Sequence, residues 1–541
     1  MTQTAQKPGK HAASRRQVDP SPRADAPGEM THRQVLEALS GLLLGLFVAM
    51  LSSTVVSNAL PRIVADLEGS ESGYTWVVVA TLLTMTASTP VWGKLADLFS
   101  KKLLVQTALV IFVVGSLGAG FAPNMGSLIA ARAVQGLGVG GLTALVQVVI
   151  ASIVPPRERG RYSGYLGAVF ALATVSGPLL GGFVVDSAWG WRGCFFVGLP
   201  VALLAFVVLQ KTLHVPTIRR EVHIDYLGAI LIAGGVSTLL IWVSLAGHNF
   251  AWGSFTTAWM VALGVALLVA AVLTEMRAPE PIIPLRMFRD RTTSLATLAS
   301  VMVGVAMFGS TVYLSQYFQI AQGMTPTHAG LMSMAMVGGL LVSSIGTGRV
   351  ISRTGRWKRF LVSGMVLVVV GLLLLSSIDE TTGLARVGVF MAVLGLGLGA
   401  TMQNLVLAVQ NNTAQRDMGA ASSVVAFFRS MGGSIGVSAL GAVLSHQVTA
   451  GVVSGLTKLG QAPSGDSGAA TTIPDMSTLP APIRAVFESA FGDATGHLFL
   501  IAVPFAVVAL VAVLFIREVP LRTTIERADE LVAEPEPVAA R

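Results

Sequence analysis

The chain has 541 residues, of which 53% are hydrophobic and only 12% are charged, and its mean hydropathy is +0.71. Soluble domains carry about 25% charged residues, so this composition is that of an integral membrane protein. Lysine and arginine outnumber aspartate and glutamate by 36 to 28, which gives a formal charge of +8. The position of these basic residues, described below, explains the excess better than a nucleic-acid-binding surface does.

Fourteen apolar stretches predict an all-α polytopic membrane protein. A spanning helix needs roughly 20 mostly apolar residues, because the hydrocarbon core offers the backbone no water for hydrogen bonds. The predicted spans are residues 36–60, 73–93, 103–121, 126–152, 162–185, 194–211, 225–246, 257–275, 293–320, 328–348, 360–376, 386–409, 419–445 and 496–516.

Three further segments lie outside the spans. Residues 1–35 and 517–541 are polar or rich in Glu and Pro and are predicted to be disordered tails. The loop 446–494 is first rich in Gly, Ser and Pro and then mildly amphipathic over residues 485–491. That second part predicts a short helix lying on the membrane surface.

Basic side chains fall mostly on one side of the predicted spans. If the amino terminus is cytoplasmic, the tails and loops on that side hold 29 of the 36 Lys and Arg residues, the opposite side holds five, and two lie within spans. Cytoplasmic loops of membrane proteins carry such an excess. The sequence therefore predicts that both tails are cytoplasmic and that the 446–494 loop is outside.

The sequence lacks the residues that several kinds of functional site require. Cys194 is the one cysteine, which excludes an internal disulfide and a cysteine-ligated metal cluster. The sequence contains no Gly-x-x-x-x-Gly-Lys-Ser/Thr loop for ATP and no His/Asp/Glu cluster at membrane depth. We therefore expect no catalytic site, no metal, no ATP and no nucleic-acid partner.

Two similar segments follow the second and tenth spans. The first reads Gly93-Lys-Leu-Ala-Asp97, and the second reads Gly348-Arg-Val-Ile-Ser352; each is followed by basic residues. Glycine permits close helix approach, and Asp97 can bind the start of a neighbouring helix or nearby cations. One copy alone could be an ordinary basic turn, but two matching hairpins indicate a duplicated transporter fold.

The fourth and fifth spans contain residues that are unusual in a membrane helix. Arg132 lies about two turns inside span four and is followed by Gln135 and Gly136. It must face protein or a wet cavity, or else snorkel to the interface. Span five has a Gly-Pro segment that predicts a bendable helix. This segment contains Gly177, Pro178, Gly181 and Gly182.

These elements resemble the loop motif, the Arg-x-x-Gln-Gly motif and the Gly-Pro antiporter motif of the major facilitator superfamily. Fourteen spans, and not twelve, resemble its drug:proton antiporter branch. The resemblance implies six-helix bundles over residues 36–211 and 292–516, a two-helix insert over residues 212–291, and a central cavity between the bundles. It also implies a protein that functions as a monomer in the bilayer and exchanges small amphipathic molecules for protons.

The sequence departs from that family at Ser52, where many relatives have an acid. No Asp or Glu lies near the middle of any span, so proton coupling would use Asp97 or Asp186, with Arg132 as an electrostatic partner, and His446 is a weaker candidate. Arg429 lies near mid-depth in span thirteen and is either a packing residue or an anion-attracting group that takes part in coupling. The candidate substrate pathway contains Ser52, Thr54, Asn58, Gln316, Gln403 and Asn404.

The leading functional hypothesis is an efflux antiporter for antibiotics, drugs or the cell's own metabolites. The alternatives are a proton symporter for a nutrient and a polytopic membrane enzyme or sensor. A cavity without carboxylates would favour neutral or weakly acidic substrates over dications. Arginine exceeds lysine 28 to 8, which suggests a GC-rich bacterium and therefore a bacterial plasma membrane.

Overall fold

The structure is a computed structural model that describes residues 32–68, 71–185, 187–213, 225–246, 250–459 and 480–522. The described part is helical apart from turns and one isolated β-bridge between Ala246 and Phe250. The long helices are α1 (His32–Asp66), α2 (Glu71–Leu98), α3 (Lys101–Gly120), α4 (Met125–Ile153), α5 (Pro156–Val185), α6 (Leu199–Thr212), α7 (Tyr226–Leu245), α8 (Phe255–Glu275), α9 (Arg291–Ile320), α10 (Met334–Thr354), α11 (Lys358–Leu375), α12 (Leu384–Asn411), α13 (Met418–Lys458) and α14 (Ala481–Leu514).

A helix occupies each of the fourteen predicted spans. Thirteen helical segments of the described residues are long and apolar enough to cross a membrane, and α5, with 30 residues, occupies the remaining span. Short helical segments Gly190–Phe196 and Pro326–Met332 precede α6 and α10. The all-α membrane architecture expected from the sequence is therefore confirmed.

Several boundaries differ from the sequence-based prediction. The two motif segments are not loops, because Gly93–Leu98 completes α2 and Gly348–Thr354 completes α10. The α10 helix ends at Gly355, whose φ of 70° is a left-handed conformation that glycine adopts without strain. The motif side chains therefore stand on rigid helix ends, where they can meet a neighbouring helix.

The predicted loop 446–494 is longer than the connection between α13 and α14 in the structure. Helix α13 continues to Lys458 and α14 begins at Ala481, so the predicted surface helix is instead the first part of α14. Phe491 and Ala494 explain this continuation, since both are buried in the core of the second bundle. Residues 460–479 lie outside the described residues.

The start of the predicted carboxyl-terminal tail is packed against the protein. Leu521 is buried, and Glu518 Oε1 accepts hydrogen bonds from the backbone N–H groups of Trp357 (2.9 Å) and Lys358 (3.1 Å). These contacts occupy N–H groups at the start of α11 that the helix itself leaves unpaired. The prediction of a disordered tail is therefore wrong for residues 517–522. Residues 1–31 and 523–541 lie outside the described residues.

The helices form two bundles and an insert. One buried cluster joins α1, α3, α4 and α6, and a separate cluster joins α9 to α14. The inserted helices α7 and α8 pack on each other, and α7 contacts both α2 and α13. Apolar residues of the insert pack against Val424 and Phe427 of α13. The insert therefore lies beside the line where the two bundles meet.

Both ends of the described chain lie on one face of the protein, because an even number of helices separates them. We call this face, which carries residues 99–100, 154–157, 355–357 and 412–417, the terminal face. Near it, the bundles meet through glycines: a Cβ atom added to Gly348 of α10 would lie 1.9 Å from the carbonyl oxygen of Gly160 in α5. A Cβ added to Gly93 of α2 would lie 1.9 Å from Ser423 Oγ in α13. The Cβ at Gly93 would also lie 2.7 Å from the carbonyl oxygen of Gly419, so the backbones approach closely at both places.

A methyl group at Gly348 should force the bundles apart at the terminal face, because the contacting atom is backbone and cannot rotate away. We expect Gly348→Ala to increase maleimide labelling of a Ser344→Cys reporter, made in a Cys194→Ala background, by about tenfold or more. Ser344 is 4% exposed in the structure.

Gly346→Ala is the matched control for this change. Gly346 lies on the same helix, but a Cβ there meets nothing within 4 Å. Equal labelling of the two variants would contradict the steric account of the glycine contact.

Candidate functional site

Asp97 connects the two bundles at the terminal face. Its Oδ1 accepts a hydrogen bond from the backbone N–H of Gly419 (2.7 Å), and its Oδ2 accepts one from Ala420 (2.9 Å). These N–H groups belong to the first turn of α13, where the helix leaves donors unpaired and carries partial positive charge. A carboxylate satisfies both donors at once. Asp97 therefore anchors the first bundle to the second, as the sequence motif suggested.

The second contact between the bundles at the terminal face, which joins α5 and α10, uses different chemistry. Ser352 occupies the position equivalent to Asp97, but its hydroxyl donates to Gly348 of its own helix. The connection is made instead by Arg157 of α5, whose guanidinium donates to the carbonyl oxygens of Ser352 (3.1 Å) and Arg353 (3.0 Å) at the end of α10. The last turn of a helix has unpaired carbonyls and attracts cations.

Arg159 extends this second contact into the interior. Its side chain donates to Gln410 Oε1 of α12 (3.0 Å), and Gln410 donates to Ser422 Oγ (2.8 Å). Arg159 is only 3% exposed. This contact was not predictable from the sequence, because Arg159 looks like one of several basic residues near the membrane surface. Gln410 gave no clear signal either, because it follows the predicted span 386–409 and precedes the polar residues Asn411 and Asn412.

Arg132, Gln135 and Ser52 form a buried polar network within the first bundle. The Arg132 guanidinium donates to Gln135 Oε1, and Gln135 Nε2 donates to Ser52 Oγ (2.9 Å) and to Ser116 Oγ (2.7 Å). The four residues are each between 1% and 6% exposed. The network joins α1, α3 and α4, so Arg132 faces protein and does not snorkel to the interface.

Arg132 does not pair with Asp97, one of the two acids considered as its electrostatic partner; the other, Asp186, lies outside the described residues. Asp97 lies at the terminal-face end of α2, whereas Arg132 lies two turns from the opposite end of α4. The remaining 21 residues of α4 rise by roughly 30 Å at about 1.5 Å per residue. Gly136 instead brings α4 close to α2, since an added Cβ would lie 2.1 Å from Thr84 Oγ1.

Three of the six predicted pathway residues make hydrogen bonds within their own bundle. Ser52 is bonded to Gln135, Thr54 donates to the Ala173 carbonyl (3.1 Å) in α5, and Asn404 donates to the Ala400 carbonyl of its own helix (2.6 Å). Gln403 makes a different contact, because it accepts a hydrogen bond from Gln147 of α4 (3.2 Å) across the two bundles.

Gln316 and Arg429 differ from these residues. Both side chains are half-buried, and neither makes a hydrogen bond or an ion pair with the described residues. A guanidinium inside a membrane helix with no acid beside it is costly unless water or a ligand can reach it. The geometry thus leaves Arg429 available to an anionic group, and it does not show the packing hydrogen bonds considered from the sequence.

The Gly-Pro segment of α5 packs closely on α1. A Cβ added to Gly177 would lie 2.2 Å from Thr54 Oγ1, and Gly181 is buried. Pro178, Gly182 and Asn58 lie on described helices, but their surroundings are outside the described part, as is Asp186 entirely. His446 is exposed on α13. Within the described residues, no group of His, Cys, Asp and Glu could hold a metal ion.

The chain matches the family model described as "Major Facilitator Superfamily" over residues 42–437. An MFS-type transporter of Mycobacterium tuberculosis is 37% identical over 498 residues, which cover 91% of this chain and 71% of the relative. The efflux pump dotC of Dothistroma septosporum is 35% identical (90% and 84% covered), and the multidrug transporter protein MdtP of Bacillus subtilis is 33% identical (77% and 76% covered).

Solved structures show the same fold at low sequence identity. The proton:xylose symporter XylE superposes with a TM-score of 0.58 at 14% identity, covering 90% of this chain and 96% of that one. The human organic anion transporter MFSD10 has a TM-score of 0.57 at 13% identity, covering 87% and 99%. The bundles, the insert and these matches together identify the chain as a transporter of the major facilitator superfamily, and not an enzyme.

Proposed function

We propose that the protein is a proton-driven efflux antiporter that exports small amphipathic molecules by alternating access. The observation that carries this proposal is the placement of the contacts between the bundles. The hydrogen bonds described between them, from Asp97, Arg157, Arg159 and Gln147, all lie in the terminal-face half of the protein. The structure is therefore closed at one face, as one end state of such a cycle requires.

The direction of transport is proposed from the relatives and the orientation. Two of the relatives described above are named as an efflux pump and a multidrug transporter. The 29-to-5 asymmetry of basic residues supports a cytoplasmic terminal face, with both chain ends in the cytoplasm of a bacterium. Labelling of a cysteine at Thr381, in the opposite-face turn, from outside intact cells tests this orientation.

Protons are proposed as the coupling ion, with no other cofactor. Asp97 makes its two hydrogen bonds as an acceptor, so protonation would remove acceptor capacity from the contact and favour its opening. The Arg132–Gln135–Ser52 network would respond to substrate and proton occupancy through α1, α3 and α4. The protein is expected to act as a monomer, without nucleic acid or ATP.

Asp97→Asn should reduce transport by about tenfold or more while the protein still folds and inserts. The amide keeps one acceptor and loses the charge, and hydrogen bonds to charged groups contribute about 1.5–3 kcal/mol each. The measurement is the initial rate of substrate efflux from cells, with the amount of inserted protein determined alongside.

Asp379→Asn is the control for general loss of an acid. Asp379 accepts hydrogen bonds from Thr381 and Thr382 in its own turn at the opposite face, which hold its pKa below the usual value, and it joins no bundles. Unchanged transport in Asp97→Asn, or an equal loss in the control, would show that the Asp97 contact has no special role.

Substrate charge is the second testable part of the proposal. The structure describes Arg429 without a neighbouring acid, so neutral or weakly acidic amphiphiles should be exported at least several-fold faster than matched dications. Efflux in proteoliposomes with an imposed pH gradient measures this. Faster export of dications would contradict the charge preference, whereas inward, proton-coupled accumulation would favour the nutrient symporter.

A further inference from the structure

The linker between the inserted helices and the second bundle, residues 276–290, crosses the place where the two bundles meet. We call it the insert linker. Glu275 at the end of α8 holds the first half of the linker. Its carboxylate accepts hydrogen bonds from the backbone N–H groups of Ile282 (3.2 Å) and Ile283 (3.1 Å). Ile282 and Ile283 are buried against the insert and α13. The path of the linker is therefore defined.

One ion pair attaches the insert linker to the first bundle. Lys94 Nζ of α2 lies 2.5 Å from Glu280 Oε2 of the linker. The Lys94 side chain is only 4% exposed and that of Glu280 is 23% exposed. Removing one partner of a buried ion pair is costly, because the remaining charge stays desolvated. Lys94 immediately follows Gly93, one turn from Asp97, and thus belongs to the same helix end.

Other contacts attach the insert linker to the second bundle. Arg286 NH2 lies 3.0 and 2.8 Å from the two carboxylate oxygens of Asp417, the residue that precedes α13. Phe288 packs edge-on against Phe428 of α13, with ring centroids 6.1 Å apart. Asp290 accepts a hydrogen bond from Asn412 (3.3 Å). The linker therefore holds α2 on one side and α13 on the other.

Beside its buried residues Ile282 and Ile283, the insert linker borders an open pocket. Together with the ends of α2 and α8 it forms a half-open pocket of about 630 Å³, which is lined by residues that include Lys94, Glu275, Glu280, Arg286, Arg289 and Asp417. Apolar packing and the Arg286–Asp417 pair hold the linker on α13, whereas the ion pair between Lys94 and Glu280 attaches it to the first bundle. When the bundles separate at the terminal face, Lys94 moves away from a linker that is packed on α13, so the Lys94–Glu280 pair cannot persist.

We propose that the insert linker is a clamp that holds the terminal face closed and must release one ion pair in each transport cycle. This assigns a conformational role to the two inserted helices, which anchor the clamp beside the Asp97 contact. The proposal rests on the proposed alternating-access function, since a protein with fixed bundles would never need to release the linker.

The test uses the Ser344→Cys reporter in a Cys194→Ala background, labelled in inside-out vesicles by a membrane-impermeant maleimide. The reporter lies at the α5–α10 contact, away from the linker, and reports opening without substrate or a proton gradient. Lys94→Gln and Glu280→Gln should each raise the labelling rate by roughly fivefold to tenfold. The charge swap of Lys94→Glu with Glu280→Lys should return it toward the wild-type rate.

Arg289→Gln is the control, because Arg289 lines the same cavity and makes no ion pair with the described residues. If Lys94→Gln does not fold, Glu280→Gln and the charge swap still decide the question. Wild-type labelling in Glu280→Gln, or a swap that labels as fast as the single variants, would overturn the clamp. Because the labelling needs no transport, absence of proton-driven efflux would refute the proposed function without affecting this result.

Discussion

The arrangement of the two bundles depends on a carboxylate that one bundle presents to the unpaired backbone donors of the other. Asp97 takes two N–H groups at the start of α13, which helix geometry leaves without partners. The neighbouring glycines allow this contact, because a side chain at Gly93 would overlap Ser423 and separate the atoms. The contact therefore depends on three features together: the carboxylate charge of Asp97, the unpaired N–H groups at the start of α13 and the close backbone approach at Gly93.

The two halves of the fold are similar in backbone but differ in chemistry. Gly93 and Gly348 occupy equivalent helix ends and both touch the other bundle, yet Asp97 is replaced by Ser352 in the second half. There, Arg157 binds carbonyls at the end of α10, and its own N–H donates to the Arg522 carbonyl (3.2 Å) of the packed carboxyl-terminal segment. One contact therefore uses an anion on a helix start and the other a cation on a helix end. Protonation of Asp97 would therefore weaken the contact between α2 and α13 but not the one between α5 and α10.

Hydropathy predicted the helices, because bilayer length is a local property, and the family resemblance implied the two bundles. Motif spacing placed Asp97 at a helix end, from which it can bind the start of a neighbouring helix. Contacts between distant segments were not predictable. Ser52 and Thr54 are polar residues in an apolar helix, and only the fold shows that they hydrogen-bond to Gln135 and to the Ala173 carbonyl. Lys94 resembled a positive-inside lysine, although its burial and its pairing with Glu280, 186 positions later, make it a structural cation.

The most direct test of this account is the distance across the terminal face during turnover. Spin labels at Glu158→Cys in α5 and Thr354→Cys in α10, in a Cys194→Ala background, report it, since both positions are exposed on opposite bundles. We predict two populations, with the short distance of the structure dominant at rest and a longer distance gaining weight when substrate and a pH gradient are present. A single short distance that persists during active transport would contradict the claim that these contacts open and close.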